Sequence, residues 1–267
     1  MKKLTTAALL VGGAVLASQS TFGQAIGNDL YLGFQNKAGG GTEDYVINLG
    51  AASAIVGSSS VVNLSGDFSL SDFNAVLGTS SSMFGGVIGA ANTSTSGQAN
   101  TADVYLTQLR SGGAGIPSVA GSSVSQQLSR NQDNTTYADL GTLFSPAAGT
   151  GGLDTSKSWE NLVDPINSTG TFQSNTGLNP DSAVSASSVL YEDLWYTSSS
   201  TLTGTQPFTY LGYFTLNLGG GIQPAVVQPT LTFTGANVVP EPTVLALLGG
   251  AGLLFLSFHR RLNGRNA

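Results

Sequence analysis

The C-terminal end of the chain limits the fold before any strand is assigned. Thr243 to Phe258 is an uncharged run of 16 residues, dominated by Val244, Leu245, Leu247, Leu248, Leu253, Leu254, Phe255 and Leu256. Val239-Pro240-Glu241-Pro242 precedes it, and His259-Arg260-Arg261, then Arg265, follow it. Each proline fixes its own φ and pushes the residue before it toward extended conformations, so the step before the run is stiff. Such a run reads either as a buried core helix or as a membrane span, and the basic cluster behind it decides for the span. The run is shorter than the roughly 20 residues of a comfortable span. Bilayer thinning and snorkelling of Arg260 and Arg261 make up the difference. Gly249-Gly250-Ala251-Gly252 lets another helix approach closely. Residues 236–267 are therefore set apart from the globular fold: a motif at 239–242, a transmembrane helix at 243–258 and a basic tail at 259–267.

Charge sets the orientation. Arg260, Arg261 and Arg265 stay cytoplasmic by the positive-inside rule, which leaves Glu241 and everything before it outside. The N-terminus agrees. Lys2 and Lys3 form a basic n-region, Leu4 to Ala17 is an apolar h-region interrupted only by Thr5 and Thr6, and small residues follow. Cleavage after Ala17 or after Ala25 fits this pattern. The second is preferred, because strand-like sequence begins at Ile26. Residues 1–25 are thus a signal peptide, and 26–235 form a single ectodomain.

Pro-Glu-Pro, apolar helix and basic stop, in this order and spacing, resemble the PEP-CTERM sorting domain, the tail of exosortase substrates in Gram-negative bacteria. The resemblance implies that exosortase, a membrane protease, recognises Val239, Pro240, Glu241 and Pro242 with the following helix. It would then release or transfer the ectodomain. It also implies export across the inner membrane, temporary anchoring through 243–258, a final place at the cell surface or outside the cell, and association with exopolysaccharide and biofilm. The strand-end phrases of the ectodomain are similar to those of other proteins carrying this tail.

Composition narrows the ectodomain further. Cysteine is absent, so the exported fold stands without disulfides, and thiol chemistry is excluded. From Ile26 to Val239 four basic residues (Lys37, Arg110, Arg130, Lys157) face fourteen acidic ones, a net of minus ten. Nucleic acid is a poor partner for such a surface, because its binding rests on clustered Lys and Arg. Few Lys, Glu and Arg, many Ser and Thr, and 36 glycines point to a mainly β protein with long loops.

Leu30 to Phe34 and Tyr45 to Leu49 alternate as strands around the loop signal Ala38-Gly39-Gly40-Gly41-Thr42, so a hairpin is predicted. Phe208 to Leu218 reads as a long strand and Leu231 to Thr234 as a short closing one. Tyr31-Leu32-Gly33-Phe34 echoes Tyr210-Leu211-Gly212-Tyr213, which suggests neighbouring strands of one sheet. Val104 to Leu106 and Val189 to Tyr191 are further strands. Helices are predicted over Ser69 to Gly78, where Phe73, Val76 and Leu77 share a face, through Tyr137 to Leu140, and near Ser182 to Ser188. Ala91 to Ala102, Ser111 to Ser125 and Pro146 to Thr155 read as exposed loops. The sum is a single β-sandwich or jelly-roll-like ectodomain with a few short helices.

The only histidine, His259, lies in the basic tail, so a Ser-His-Asp triad is excluded from the exported region, as are His- or Cys-based zinc sites. No catalytic residue, metal-ligand set or cofactor motif emerges, and the reading is non-enzymatic. The remaining chemistry is carboxylate chemistry, with Glu43, Asp44, Glu160, Glu192 and Asp193 as candidates for a glycoside hydrolase. Trp159 and Trp195 are the candidate sugar platforms. Glu192-Asp193-Leu194-Trp195-Tyr196 is the most suggestive cluster, either an edge strand or, with Tyr191, Trp195 and Tyr196 exposed, a carbohydrate-binding surface. Asn131-Gln132-Asp133-Asn134-Thr135 alternates oxygen ligands but lacks the glycine and distal Glu of an EF-hand, and reads as a solvated turn.

Overall fold

Leu30, Leu32 and Phe34 alternate with Tyr31, Gly33 and Gln35, and all six are buried, so this strand is covered on both faces. The computed structural model describes residues 23–24, 28–36, 43–77, 83–92, 102–110, 127–163, 175–176, 178–184, 189–198, 205–218 and 229–236. In chain order they form β1 (Gly23–Gln24), β2 (Asp29–Asn36), β3 (Asp44–Ala51), α1 (Ala52–Val56), β4 (Val62–Asn63), a 3-10 turn (Ser65–Asp67), α2 (Leu70–Leu77), β5 (Met83–Asn92) and β6 (Ala102–Leu109). There follow β7 (Gln127–Ser129), α3 (Arg130–Leu140), β8 (Phe144–Ser145), β9 (Thr150–Asp154) and α4 (Ser158–Val163). The last elements are β10 (Ser182–Val184), β11 (Val189–Ser198), β12 (Thr205–Pro207), β13 (Thr209–Asn217) and β14 (Thr230–Gly235).

The protein is mainly β, with few helices. A curled antiparallel sheet of ten strands runs in the order β4-β14-β13-β11-β6-β5-β2-β3-β9, with β10 added on β5. Residues 64–67 link its two ends. Leu64 N donates to Leu231 O of β14 at 2.8 Å, and Leu231 N donates to Ser65 Oγ at 3.2 Å. On the other side, a Cβ added to Gly151 of β9 would stand 3.0 Å from Asp67 O. The expected sandwich of two facing sheets is thus replaced by one sheet whose curl brings its own walls together.

Two cores result. Inside the curl, Leu30, Leu32, Phe34, Tyr45 and Ile47 meet Phe214, Leu216, Leu231 and Phe233, with Phe68, Phe73 and Val76 from the turn and α2. Phe73 meets Phe34 edge-on at 5.1 Å and Phe68 at 5.7 Å between centroids, the arrangement favoured by ring quadrupoles. Outside the curl, Tyr31, Val46, Ile88, Val104, Leu106 and Trp195 are covered by Leu140, Leu143, Trp159, Leu162 and Val163 from α3, α4 and their surroundings. Gly33 makes this layer possible, because any Cβ there would overlap the Trp159 indole. Leu49 bulges out of the β2–β3 ladder, where Leu30 pairs with Gly50 and Tyr31 with Asn48, and Gly50 supplies the required φ of +86°.

The predicted β2–β3 hairpin pairing, α2, β6, β11, β13 and β14 are present. Four expectations are corrected. β2 and β13, which carry the echoed phrases, are separated by β11, β6 and β5. The echoed phrases do not match face for face: Phe34 enters the inner core, whereas its counterpart Tyr213 lies on the outer face under Arg110. Thr150–Asp154, expected in a loop, is an edge strand held by β3. Ser182–Val184, expected to be helical, pairs with Met83 to Gly85 as a strand. The short helix expected at Tyr137 begins seven residues earlier, at Arg130. The sorting motif 239–242, the apolar run 243–258 and the tail 259–267 lie outside the described residues, as does the signal peptide before Gly23. Among the described residues no helix is long and apolar enough to cross a membrane.

Candidate functional site

Strand β11 carries the cluster singled out in the sequence, and it is a central strand rather than an edge, flanked by β13 and β6. Period-2 alternation splits the candidate sugar-binding residues between faces. Tyr191 and Trp195 point outward with Asp193, whereas Tyr196 points inward with Glu192 and Leu194. Trp195 is only 7% exposed, and its ring packs on Tyr210 at 5.5 Å. The three rings therefore form no common platform, and the expected exposure of Trp195 is corrected. Trp159, the other candidate platform, is 0% exposed above Gly33. Glu192 and Asp193 are both buried on opposite faces, so they do not flank one scissile bond as a glycosidase pair must.

The outward face of β11 instead holds an ion pair. Arg110 Nε lies 3.5 Å from Asp193 Oδ1 with both side chains almost fully buried, and the guanidinium sits 3.9 Å over the Tyr213 ring. Burial pushes the Tyr210 hydroxyl up to about 12, with the Asp193 charge adding and Arg110 opposing. Arg110 follows the alternating Val104-Tyr105-Leu106, and it is one of four cations between Ile26 and Val239. A lone cation closing an apolar strand was the available signal for a buried pair.

A second polar group lies where β3 meets β9 and α4. Asp44 and Asp154 are cross-strand partners. Asp154 Oδ2 accepts from Ser158 N and Ser158 Oγ, both at 2.6 Å, while Oδ1 accepts from Ser156 N at 2.9 Å. This carboxylate organises the turn before α4. Asp44 Oδ2 accepts from Glu160 N at 2.8 Å and pins the same helix to the sheet. Burial raises the Asp44 carboxyl to about 7; the negative charges of Asp154 and Glu160 reinforce the rise, and the Glu160 amide and Lys157 oppose it. Glu160 also pairs with Lys157. Through these contacts Asp44 and Glu160 join α4 to β3 and to its own first turn.

The third group was missed in the sequence. Asn131 to Thr135, read there as a turn, belongs to α3, whose 100° step per residue does not gather alternate side chains around one point. The signal was present as Ser129-Arg130-Asn131-Gln132, a capping box: Ser129 Oγ accepts from Gln132 N, and Gln132 Oε1 accepts from Ser129 N at 2.9 Å. The helix turns Asp133, Thr136 and Leu140 into the protein. Asp133 is 0% exposed, and neither of its carboxylate oxygens meets a donor. Nearby, Asp103 of β6 is 7% exposed and bonds Ser198 and Tyr196 of β11. Burial and then the Asp103 charge raise the Asp133 carboxyl to about 7.

The predicted sorting residues Val239, Pro240, Glu241 and Pro242, and the basic stop Arg260, Arg261 and Arg265, are outside the described residues. Among those described, no group of three or more His, Cys, Asp or Glu is placed to hold a metal. Comparison with protein-family models, with curated proteins and with solved structures returns no match to this chain.

Proposed function

We propose that the chain is an exported, non-enzymatic surface or extracellular-matrix protein, tethered through Thr243 to Phe258 and then cut by exosortase at its Pro-Glu-Pro step. The observation that carries this reading is the tail itself: Val239-Pro240-Glu241-Pro242, an uncharged run of membrane character and a basic stop in one order. The residues of the motif act as a substrate. Two features of the ectodomain support the reading. Ala236 is exposed, and its N–H donates to Leu211 O at 2.8 Å, so the chain leaves the sheet at the surface three residues before the motif. The fold also rests on a large apolar core without cysteine, as an exported domain lacking disulfides requires. Exopolysaccharide is the proposed environment of the mature protein.

Mass spectrometry of the C-terminus tests the proposal. The full chain is produced in a Gram-negative host with and without a co-expressed exosortase. With the protease, the surface form lacks residues from about the Pro-Glu-Pro step onward; without it, the whole tail remains in the inner-membrane fraction. Glu241→Ala and Pro242→Ala each keep the tail on. An intact C-terminus at the surface in the presence of exosortase overturns the reading.

A further inference from the structure

The apolar cover of the sheet stops at Trp195 and Tyr210, and the outward face beyond them changes chemistry. Leu231 and Phe233 of β14 and Phe214 and Leu216 of β13 point inward, so Thr232, Thr234, Tyr213 and Thr215 point outward. Register sets these side chains in two rows. Tyr191 of β11 stands opposite Thr215, Thr215 opposite Thr232, and Thr232 opposite Asn63 of β4. In the next row Asp193 stands opposite Tyr213, and Tyr213 opposite Thr234. The first row crosses four strands, a span of about 14 Å. Tyr191, Tyr213 and the three threonines are all half-buried. No neighbour among the described residues bonds the threonine hydroxyls. The Asp193 charge is matched in place by Arg110, whose guanidinium also backs the Tyr213 ring. The face therefore carries hydroxyls, an amide and two phenols, with no net charge.

We propose that this face binds a neutral polysaccharide laid across β11, β13, β14 and β4. A sugar ring presents C–H faces that pack on aromatic rings and hydroxyls that both give and accept hydrogen bonds. Tyr191 and Tyr213 meet the first, and the threonine hydroxyls, each a donor and an acceptor, meet the second. Tyr191 belongs to the cluster singled out in the sequence, but its aromatic neighbour on this face is Tyr213 of the next strand, not Trp195. A protein partner would need an apolar centre, and the two rows hold no Leu, Ile, Val or Met. A polyanion would need clustered cations, and here the single cation is already matched to Asp193. Between Ile26 and Val239 four cations stand against fourteen acids, which repels an acidic polymer further. A neutral chain meets neither cost. The inference rests on the matrix reading above for the source of the polymer, yet it uses none of the tail, so the two can fail separately.

Affinity electrophoresis tests it. The detergent-solubilised full chain is run in native gels cast with dextran, laminarin or galactomannan as neutral polymers, and with polygalacturonate as the acidic one. Retardation that grows with the concentration of a neutral polymer is expected, with none in polygalacturonate. Tyr191→Ala and Thr232→Glu each weaken the apparent affinity by about tenfold or more. Ser53→Glu, which adds the same charge at an exposed position of α1, leaves it unchanged. Should Tyr191→Ala fail to fold, Thr232→Glu decides alone, since its side chain points away from the core. No retardation by any neutral polymer, retardation by polygalacturonate alone, or retardation unchanged in the variants overturns the proposal. A concentration-dependent dimer that Thr232→Glu abolishes, without retardation, assigns the face to a second copy of the chain and overturns it as well. A retarded chain whose tail stays uncut would overturn the processing at the Pro-Glu-Pro step and leave this assignment standing.

Discussion

Phe34 and Gln35 are neighbours in β2, yet they enter two different environments. Phe34 joins Tyr45, Phe68 and Phe73 in the inner core, where β2, β3, β13 and β14 bury only apolar and aromatic side chains. Gln35 faces outward to a hydrogen bond with Asp181, in a layer that also buries Asp29, Asp44, Asn48, Asp154, Asp193 and Arg110. Around Phe34 the inner face is stabilised by area removed from water, which is insensitive to charge; the buried acids Glu192 of β11 and Asp103 of β6 stand outside this cluster. The outer face is stabilised by apolar packing that carries buried polar groups with it, each dependent on its partner. Curling the sheet gives a Cys-free chain its core, and the second layer decorates that core with groups that titrate.

The contrast is broken most directly at Phe34. Phe34→Ala should cost ~3–5 kcal/mol, since it empties the centre of the aromatic cluster. Urea unfolding of the detergent-solubilised full chain should show the same loss at pH 5 and pH 8. A loss that varies with pH would mean that the inner core is not the charge-independent half. Next comes Arg110→Met, which strands Asp193 in the outer layer at a cost of about 3 kcal/mol. Adding Asp193→Leu to that variant should restore most of the stability, because two apolar side chains then replace a buried pair. If the double variant is worse than the single one, the ion pair is a net stabiliser and the outer layer depends on its charges more than proposed.

Asp44 sharpens the comparison by direction instead of size. Its folded carboxyl titrates near 7, above the 3.8 of the free side chain, with Asp154, Glu160 and Lys157 as the charged neighbours. A group raised on folding contributes stability that is complete below the unfolded value and is lost as pH climbs through the folded one. Wild-type stability should therefore fall between about pH 4 and pH 7 through this residue. Asp44→Asn keeps an oxygen for Glu160 N and cannot ionise, so it should be more stable than wild type by on the order of 2 kcal/mol at pH 8 and equal to it near pH 4. A variant that is less stable at pH 8 would show that the ionised carboxylate is needed.

The inner face was legible in the sequence for a physical reason. Leu30-Leu32-Phe34, Tyr45-Ile47-Leu49, Phe214-Leu216 and Phe73-Val76 write their burial as period 2 or as a helical stripe, and each was placed correctly. The covering layer was not, because its elements are short and polar. Thr150-Gly151-Gly152-Leu153-Asp154 has the composition of a loop and becomes a strand only because β3 offers it an edge. Trp195 and Trp159, read as sugar platforms, sit between layers whose existence no local pattern announces. At Asp133 the capping box fixes the helix, but its burial follows from packing on β5 and β6, which lie far away in sequence. The tail lies outside the described residues, and its reading rests on the chain alone.

Ser129→Ala is the smallest and most discriminating change. It removes the hydroxyl that caps α3 and loosens Gln132, whose Nε2 also donates to Asn175 O at 3.1 Å. The expected loss is ~1 kcal/mol, confined to the outer layer. Amides of α3 should exchange with solvent about fivefold faster, the factor that 1 kcal/mol represents. Amides of β2 and β3, whose bonds open only with the inner core, should be unchanged. Equal acceleration in both would mean that the two faces open together, because Asp133 and Trp159 then tie the covering helices to the curl too tightly for either layer to move alone.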